Sequence, residues 1–258
     1  MVTSIHGQVE PTSLALAVGG IALLQRDRGV AAGALFGLAI ATKTWPALIV
    51  LPVLLPMGRR ALRPAFAAAG VLVGLAASSV LFLRTSPVDL AGELSSYTSF
   101  AGYWGWSGAV ASFGRADLAM GYESSVSTIG SALVALAVVG SLVVHRRADV
   151  LRRAWTTSVS TLVVSAGFGP QYLLWPVPFL IANDERRGFY TISATALALV
   201  SYLPLFPGEG PRHPYMAALS WVVIAAMVMM LGTALPAGLK RRWSRALASA
   251  TTAADQGR

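Results

Sequence analysis

The chain has 258 residues, of which 55% are hydrophobic and only 12% charged, with a mean hydropathy of +0.63. Water-facing domains average about 25% charged residues, so this composition is too poor in polar side chains to cover an ordinary globule. The formal charge of +9 does not point to nucleic acid, because no basic stripe is interleaved with aromatics.

The cations instead sit in small clusters between apolar blocks: Arg26/Arg28, Arg59/Arg60/Arg63, Arg146/Arg147/Arg152/Arg153, Arg186/Arg187 and Lys240/Arg241/Arg242/Arg245. Short basic loops beside apolar runs mark the cytoplasmic side of a membrane protein. Residues 64–83 and 124–144 each run for about twenty positions without a charge, the length a helix needs to cross a hydrocarbon core. Lipid cannot satisfy backbone groups, so helices are expected rather than a barrel of short alternating strands. The expected fold is an all-α, polytopic integral membrane bundle of about 7–9 helical segments. The absence of cysteine excludes disulfides, thiolate metal sites and cysteine nucleophiles. Only Lys43 and Lys240 are lysines, a bias that with the many alanines and glycines fits GC-rich coding and a bacterial inner membrane. The opening MVTSIHGQVE has no basic region followed by an apolar core and is not expected to be a cleavable signal.

With the basic clusters pinned inside, residues 11–25 run inward and leave His6 to Glu10 outside. The next segment, 29–57, has basic clusters at both ends and must double back. It breaks at Lys43-Thr44-Trp45-Pro46, since Pro46 cannot continue a helix ladder, giving short helices over 30–42 and 46–57. Residues 64–83 run outward, 84–123 form an external loop with the aromatic run Tyr103-Trp104-Gly105-Trp106, and 124–144 return. Residues 154–183 repeat the pattern, thirty uncharged positions broken at Gly167-Phe168-Gly169-Pro170-Gln171. Residues 188–206 run out, 207–213 turn, and 214–236 return to a basic cytoplasmic C-terminus. Residues 1–243 thus form one transmembrane domain and 244–258 a disordered cytoplasmic tail. The spacing of Gly33 with Gly37, and of Gly70 with Gly74, allows close helix packing.

This threading puts three polar sets on the external side: His6-Gly7-Gln8-Val9-Glu10, Lys43 with Trp45, and Gly169-Pro170-Gln171-Tyr172. Irregular backbone at membrane depth is tolerated inside protein or beside a wet cavity, and ionisable groups there are functional candidates. A cavity lined by these groups and roofed by residues 84–123 is expected. Each has a plainer alternative. Lys43 can snorkel to the interface, Glu10 can complement a helix dipole, Gln171 can satisfy backbone freed by the break, and His6 can be solvated. Trp104 and Trp106 fit an interfacial belt or sugar stacking, while Asp89, Glu93, Asp117 and Glu123 read as solvated loop charges. No His/Asp/Glu spacing makes a metal set, and no cofactor is expected.

The stretch IHGQVEPTSLALAVGGIALLQRDRGVAAGALFGLAIATKTWPALIVLPVLL resembles bacterial GT-C class glycosyltransferases. It is most similar to glycosyltransferase family 87, which includes polyprenol-phosphate-mannose-dependent mannosyltransferases. The shared pattern is Gly7-Gln8 before a helix, a helix of small residues, then Lys43-x-x-Pro46 and an apolar run. The later GPQYLLWPVPFLI resembles the broken helix of the same enzymes. The resemblance implies an inverting transfer of a hexose, mannose by expectation, from a polyprenyl-phosphate donor to a lipid or glycan acceptor. A carboxylate would act as base and a cation would stabilise the departing phosphate. Lys43 fits the second role, Gln8, His6 and Gln171 can bond sugar hydroxyls or phosphate, and Trp45 and Tyr172 complete the binding set. These enzymes carry a catalytic aspartate in the first external loop after an N-terminal helix. This chain begins at the HGQVE segment, so an N-terminal truncation is expected, with Glu10 the carboxylate left near the cavity and His6 beside it as a catalytic candidate. A transporter or lipid flippase, and a non-catalytic membrane subunit, are the alternatives that the same broken helices allow.

Overall fold

The structure, a computed structural model, describes residues 3–55, 59–82, 86, 88, 105–107, 124–168, 170–183, 222 and 224–229. Among them the fold is all-helical, in chain order α1 (Thr3–Leu24), α2 (Gly29–Thr42), α3 (Pro46–Leu54), α4 (Arg59–Phe82), α5 (Ser124–Val144), α6 (Val150–Val164), a 3-10 helix (Pro170–Leu174) and α7 (Val177–Asn183). The expected crossings over 188–206 and 214–236 fall largely outside the described residues, as do the tail 244–258 and most of 84–123. Among the described residues no helix is long and apolar enough to cross a membrane.

Helix α1 is longer than the apolar run 11–25 suggests. It begins at Thr3 and carries Pro11 inside it, at the loss of the one rung that a proline N–H would donate. The HGQVE segment is therefore helical backbone rather than a terminus in front of a helix. Glu10 stands too far along α1 to act on its N-terminal dipole, whose effect is confined to the first turn. At its other end α1 closes with Asp27 in the left-handed region (φ 57°). The Arg28 N–H bonds the Leu23 carbonyl and the Asp27 N–H the Leu24 carbonyl, the paired bonds of a Schellman cap, with an aspartate where glycine is usual.

Close approach sets the helix order. The Gly20 Cα lies against the Phe36 ring, and Ser13 Oγ donates to the Ala39 carbonyl at 3.1 Å, so α1 and α2 are antiparallel. Gly33 meets the Ala65 backbone, and Gly37 meets Ala69 and Leu72. These pairings rise together along both chains, so α2 and α4 are parallel. The intervening α3 must then bring the chain back to the level where α2 began, the doubling-back expected of 29–57. A Cβ on Gly33 would overlap the Ala65 carbonyl oxygen. Overpacking of this kind costs about 1–3 kcal/mol, so Gly33→Val should lower the stability of purified protein by that amount in a thermal unfolding experiment. Gly70 and Gly74, expected to pack likewise, meet nothing within 4 Å among the described residues, and Gly70→Val should change stability far less than Gly33→Val.

The core is built on α1, α2, α3, α6 and α7, with Phe36, Ile49, Leu54, Trp155, Leu162, Phe179 and Leu180 buried. Helix α6 carries its polar residues inward: Thr156, Thr157, Ser158 and Thr161 are all buried. Their hydroxyls are satisfied locally, Thr156 Oγ1 donating to the Arg152 carbonyl at 2.7 Å and Ser158 Oγ to that of Ala154 at 2.8 Å. Thr157 Oγ1 and Ser141 Oγ, at 2.6 Å, join α6 to α5. Meanwhile Val30, Val71, Leu75, Leu136, Val139, Val143 and Met229 are exposed. Apolar side chains are thus left outside on α2, α4 and α5, while the hydroxyls of α6 are enclosed beside the apolar core.

The turn from α5 to α6 runs through His145, which is buried. Burial, followed by the Arg152 charge, holds its pKa below the ordinary 6.5. The folded state therefore resists protonation more than the unfolded chain does. Stability from a neutral His145 is complete above about pH 6.5 and is lost as pH falls toward the lowered folded pKa. Thermal unfolding followed from pH 7.5 to 5 should show this loss, and His145→Gln should flatten that part of the profile.

Candidate functional site

The two chain breaks meet. The first arises where α2 ends: Lys43 leaves the helix in extended conformation (φ −157°, ψ 141°), its N–H still bonded to the Ala39 carbonyl. Trp45 caps α3, and Pro46 occupies the first turn, where a missing N–H costs nothing. The second arises where α6 stops at Val164 and the chain re-forms as the 3-10 helix, with the Trp175 N–H bonded to the Tyr172 carbonyl at 3.0 Å. Side chains three apart eclipse in such a turn, which brings Tyr172 and Trp175 together.

The result is a slab of three rings. Trp45 stacks on Trp175 with centroids 3.9 Å apart and planes 10° from parallel, and Tyr172 stacks on Trp175 at 4.3 Å. The Lys43 ammonium lies over the Tyr172 ring, 5.5 Å from its centroid, within cation–π range. Trp45 and Trp175 are buried, whereas Lys43 and Tyr172 are half-buried. The accessible end of the cluster is thus a cation over an aromatic face, and the two tryptophans form its floor. The Trp45 indole N–H is buried with no hydrogen-bond partner among the described residues. A donor left in that state costs about 1–3 kcal/mol, a cost that a bound oxygen would relieve.

Residues 105–107 close over the second break. Gly105 has φ +108° and sits against the Ser165 and Ala166 carbonyls. The Ser107 N–H donates to the Ala166 carbonyl at 3.0 Å and the Trp106 N–H to that of Ser165 at 3.3 Å. The Ser107 hydroxyl also bonds the Ala166 carbonyl. Trp106 Nε1 donates to the Val164 carbonyl at 3.0 Å. Carbonyls left over at the end of α6 thereby find donors from a distant segment. Trp106, which the sequence suggested for an interfacial belt or a sugar stack, is a cap on the broken helix.

Of the expected site residues, the structure brings Lys43, Trp45 and Tyr172 together. Gln171 lies in the same 3-10 helix, and His6, Gln8 and Glu10 lie on α1; the side chains of these four are outside the described set. The antiparallel register fixed by Ser13 and Ala39 carries the backbone of α1 near Glu10 toward the level of Lys43. Trp175 was missed, although it stands in GPQYLLWPVPFLI three positions after Tyr172.

A family model described as glycosyltransferase family 87 matches residues 1–176, a span that holds both breaks and all three rings. No curated protein and no solved structure matches the chain. The matched span is about two thirds of the sequence, and the chain belongs to glycosyltransferase family 87, whose reaction requires a sugar donor and an acceptor.

Proposed function

We propose that the chain transfers a hexose, mannose in the first instance, from a polyprenyl-phosphate donor to a lipid or glycan acceptor at the extracytoplasmic face of a bacterial inner membrane. The observation that carries this reading is the Lys43 ammonium poised over Tyr172 where the two breaks meet. An acceptor hydroxyl attacks the anomeric carbon as the bond from that carbon to the phosphate oxygen breaks. The phosphate leaves with the electron pair, and the hydroxyl proton passes to a base. A fixed cation beside the leaving phosphate stabilises charge that grows only in the transition state, which is the role given to Lys43. The Tyr172 face offers a platform for the sugar ring, and the Trp45 N–H a buried donor for an oxygen. Gln8, His6 and Gln171 supply further polar groups, and Glu10 is the carboxylate assigned as base.

Support for the bilayer comes from the exposed apolar side chains of α4 and α5, which lipid would cover, and from the basic clusters at the turns. Membranes from cells expressing the chain, supplied with labelled polyprenyl-phosphate mannose, should accumulate label in lipid or glycan. Movement of the labelled donor across sealed vesicles without any transfer would instead establish the flippase alternative and refute the transferase reading.

A further inference from the structure

A second polar cluster lies at the opposite end of α6 from the aromatic slab, about 16 Å away along the helix at 1.5 Å per residue. Arg153 is buried, with 5% of its surface exposed. Its Nε, and that of the adjacent Arg152, are buried with no hydrogen-bond partner among the described residues. A charged donor in this state carries a larger desolvation cost than a neutral one. The neighbourhood deepens the imbalance. Both arginines stand in the first turns of α6, where the helix dipole is itself positive, and Arg146 and Arg147 follow His145 in the preceding turn. The nearby carboxylate, Asp149, is the N-cap: its Oδ1 accepts the Arg152 N–H at 2.8 Å, and its charge also acts on Arg153, though less strongly than burial does.

We propose that Arg152 and Arg153, at the N-terminus of α6, form a binding site for a phosphate group, separate from the sugar-transfer site. Positive dipole, two guanidinium groups and unfilled N–H donors are the features that hold a tetrahedral oxyanion. A phospholipid headgroup and a free phosphate compound share this chemistry. Transfer of sugar plays no part in the proposal, which stands or fails independently of it.

The test uses the full chain purified in detergent, with thermal unfolding followed against inorganic phosphate at ionic strength matched with chloride. A ligand that binds only the folded state raises the Tm in a saturable way. The same measurement in nanodiscs compares phosphatidylglycerol in phosphatidylcholine with phosphatidylcholine alone, in phosphate-free buffer. A phosphate-dependent rise that Arg153→Gln weakens by about tenfold or more in concentration identifies free phosphate. A rise confined to phosphatidylglycerol and lost in Arg153→Gln identifies a headgroup. Should Arg153→Gln fail to fold, Arg153→Lys, which keeps the charge and loses the planar fork, must weaken the response. Arg146→Gln and Arg147→Gln, at exposed positions, must retain it. No rise with either probe, or a rise unaltered by both Arg153 variants, overturns the site.

Discussion

Lys43→Ala should reduce kcat for sugar transfer by about 10²–10³, the loss seen when one preorganised group that stabilises transition-state charge is removed. Its effect on KM should be small by comparison, because in the proposed transfer the charge on a departing phosphate grows as the glycosidic bond breaks and ground-state binding draws on other contacts. Lys43→Arg keeps a cation over the Tyr172 ring and should recover part of the rate. Lys43 is only half-buried and stands apart from the core, so an unchanged melting temperature should accompany the lost rate. Activity of Lys43→Ala equal to that of the parent would end its assignment to the leaving phosphate.

Trp175→Ala should have the second large effect, and on a different quantity. Trp175 is the middle ring of the slab, in contact with Trp45 on one side and Tyr172 on the other. Removing it leaves a cavity in the buried core and should cost about 3–5 kcal/mol of stability. Transfer should fall with it, since Tyr172 loses the surface that sets its plane beneath Lys43. Trp175→Phe fills most of the space and keeps a stacked ring, so stability and rate should both return in large part. A Trp175→Ala protein with parental stability and parental rate would show that the slab is not what positions Lys43. Comparing these variants with Trp45→Phe, which keeps a ring but removes the buried N–H, separates stacking from donation.

Part of the chain path was legible in the sequence. Placing the basic clusters on one side predicts that residues 29–57 double back, and the parallel pairing of Gly33 and Gly37 of α2 with Ala65, Ala69 and Leu72 agrees with such a path. Pro46 and the Gly167–Pro170 run marked both breaks, because proline and glycine act locally on the backbone. Less was legible where tertiary contacts decide. Gly70 and Gly74 have the same spacing as Gly33 and Gly37, yet among the described residues nothing lies within 4 Å of where their Cβ atoms would be, since spacing does not say which face meets a neighbour. Helix α1 passes through Pro11, and α4 starts at Arg59 rather than at the apolar Pro64; arginine is a good helix former whatever its polarity. The slab joins Trp45 to Trp175 across 130 positions of sequence, a pairing that no local pattern encodes. Likewise the donors that cap α6 come from Trp106 and Ser107, and a sequence reader sees there only an aromatic external loop.

The most direct test of the central claim is single-turnover transfer by the purified chain in nanodiscs, with polyprenyl-phosphate [14C]mannose as donor and an extract of membrane lipids and glycans as acceptor. The account predicts label in the acceptor with release of polyprenyl phosphate, and at least a hundredfold slower release for Lys43→Ala, in line with the loss of one transition-state charge partner. Release at the same rate from both proteins, or label moving from a nucleotide sugar and not from the lipid-linked donor, would contradict it.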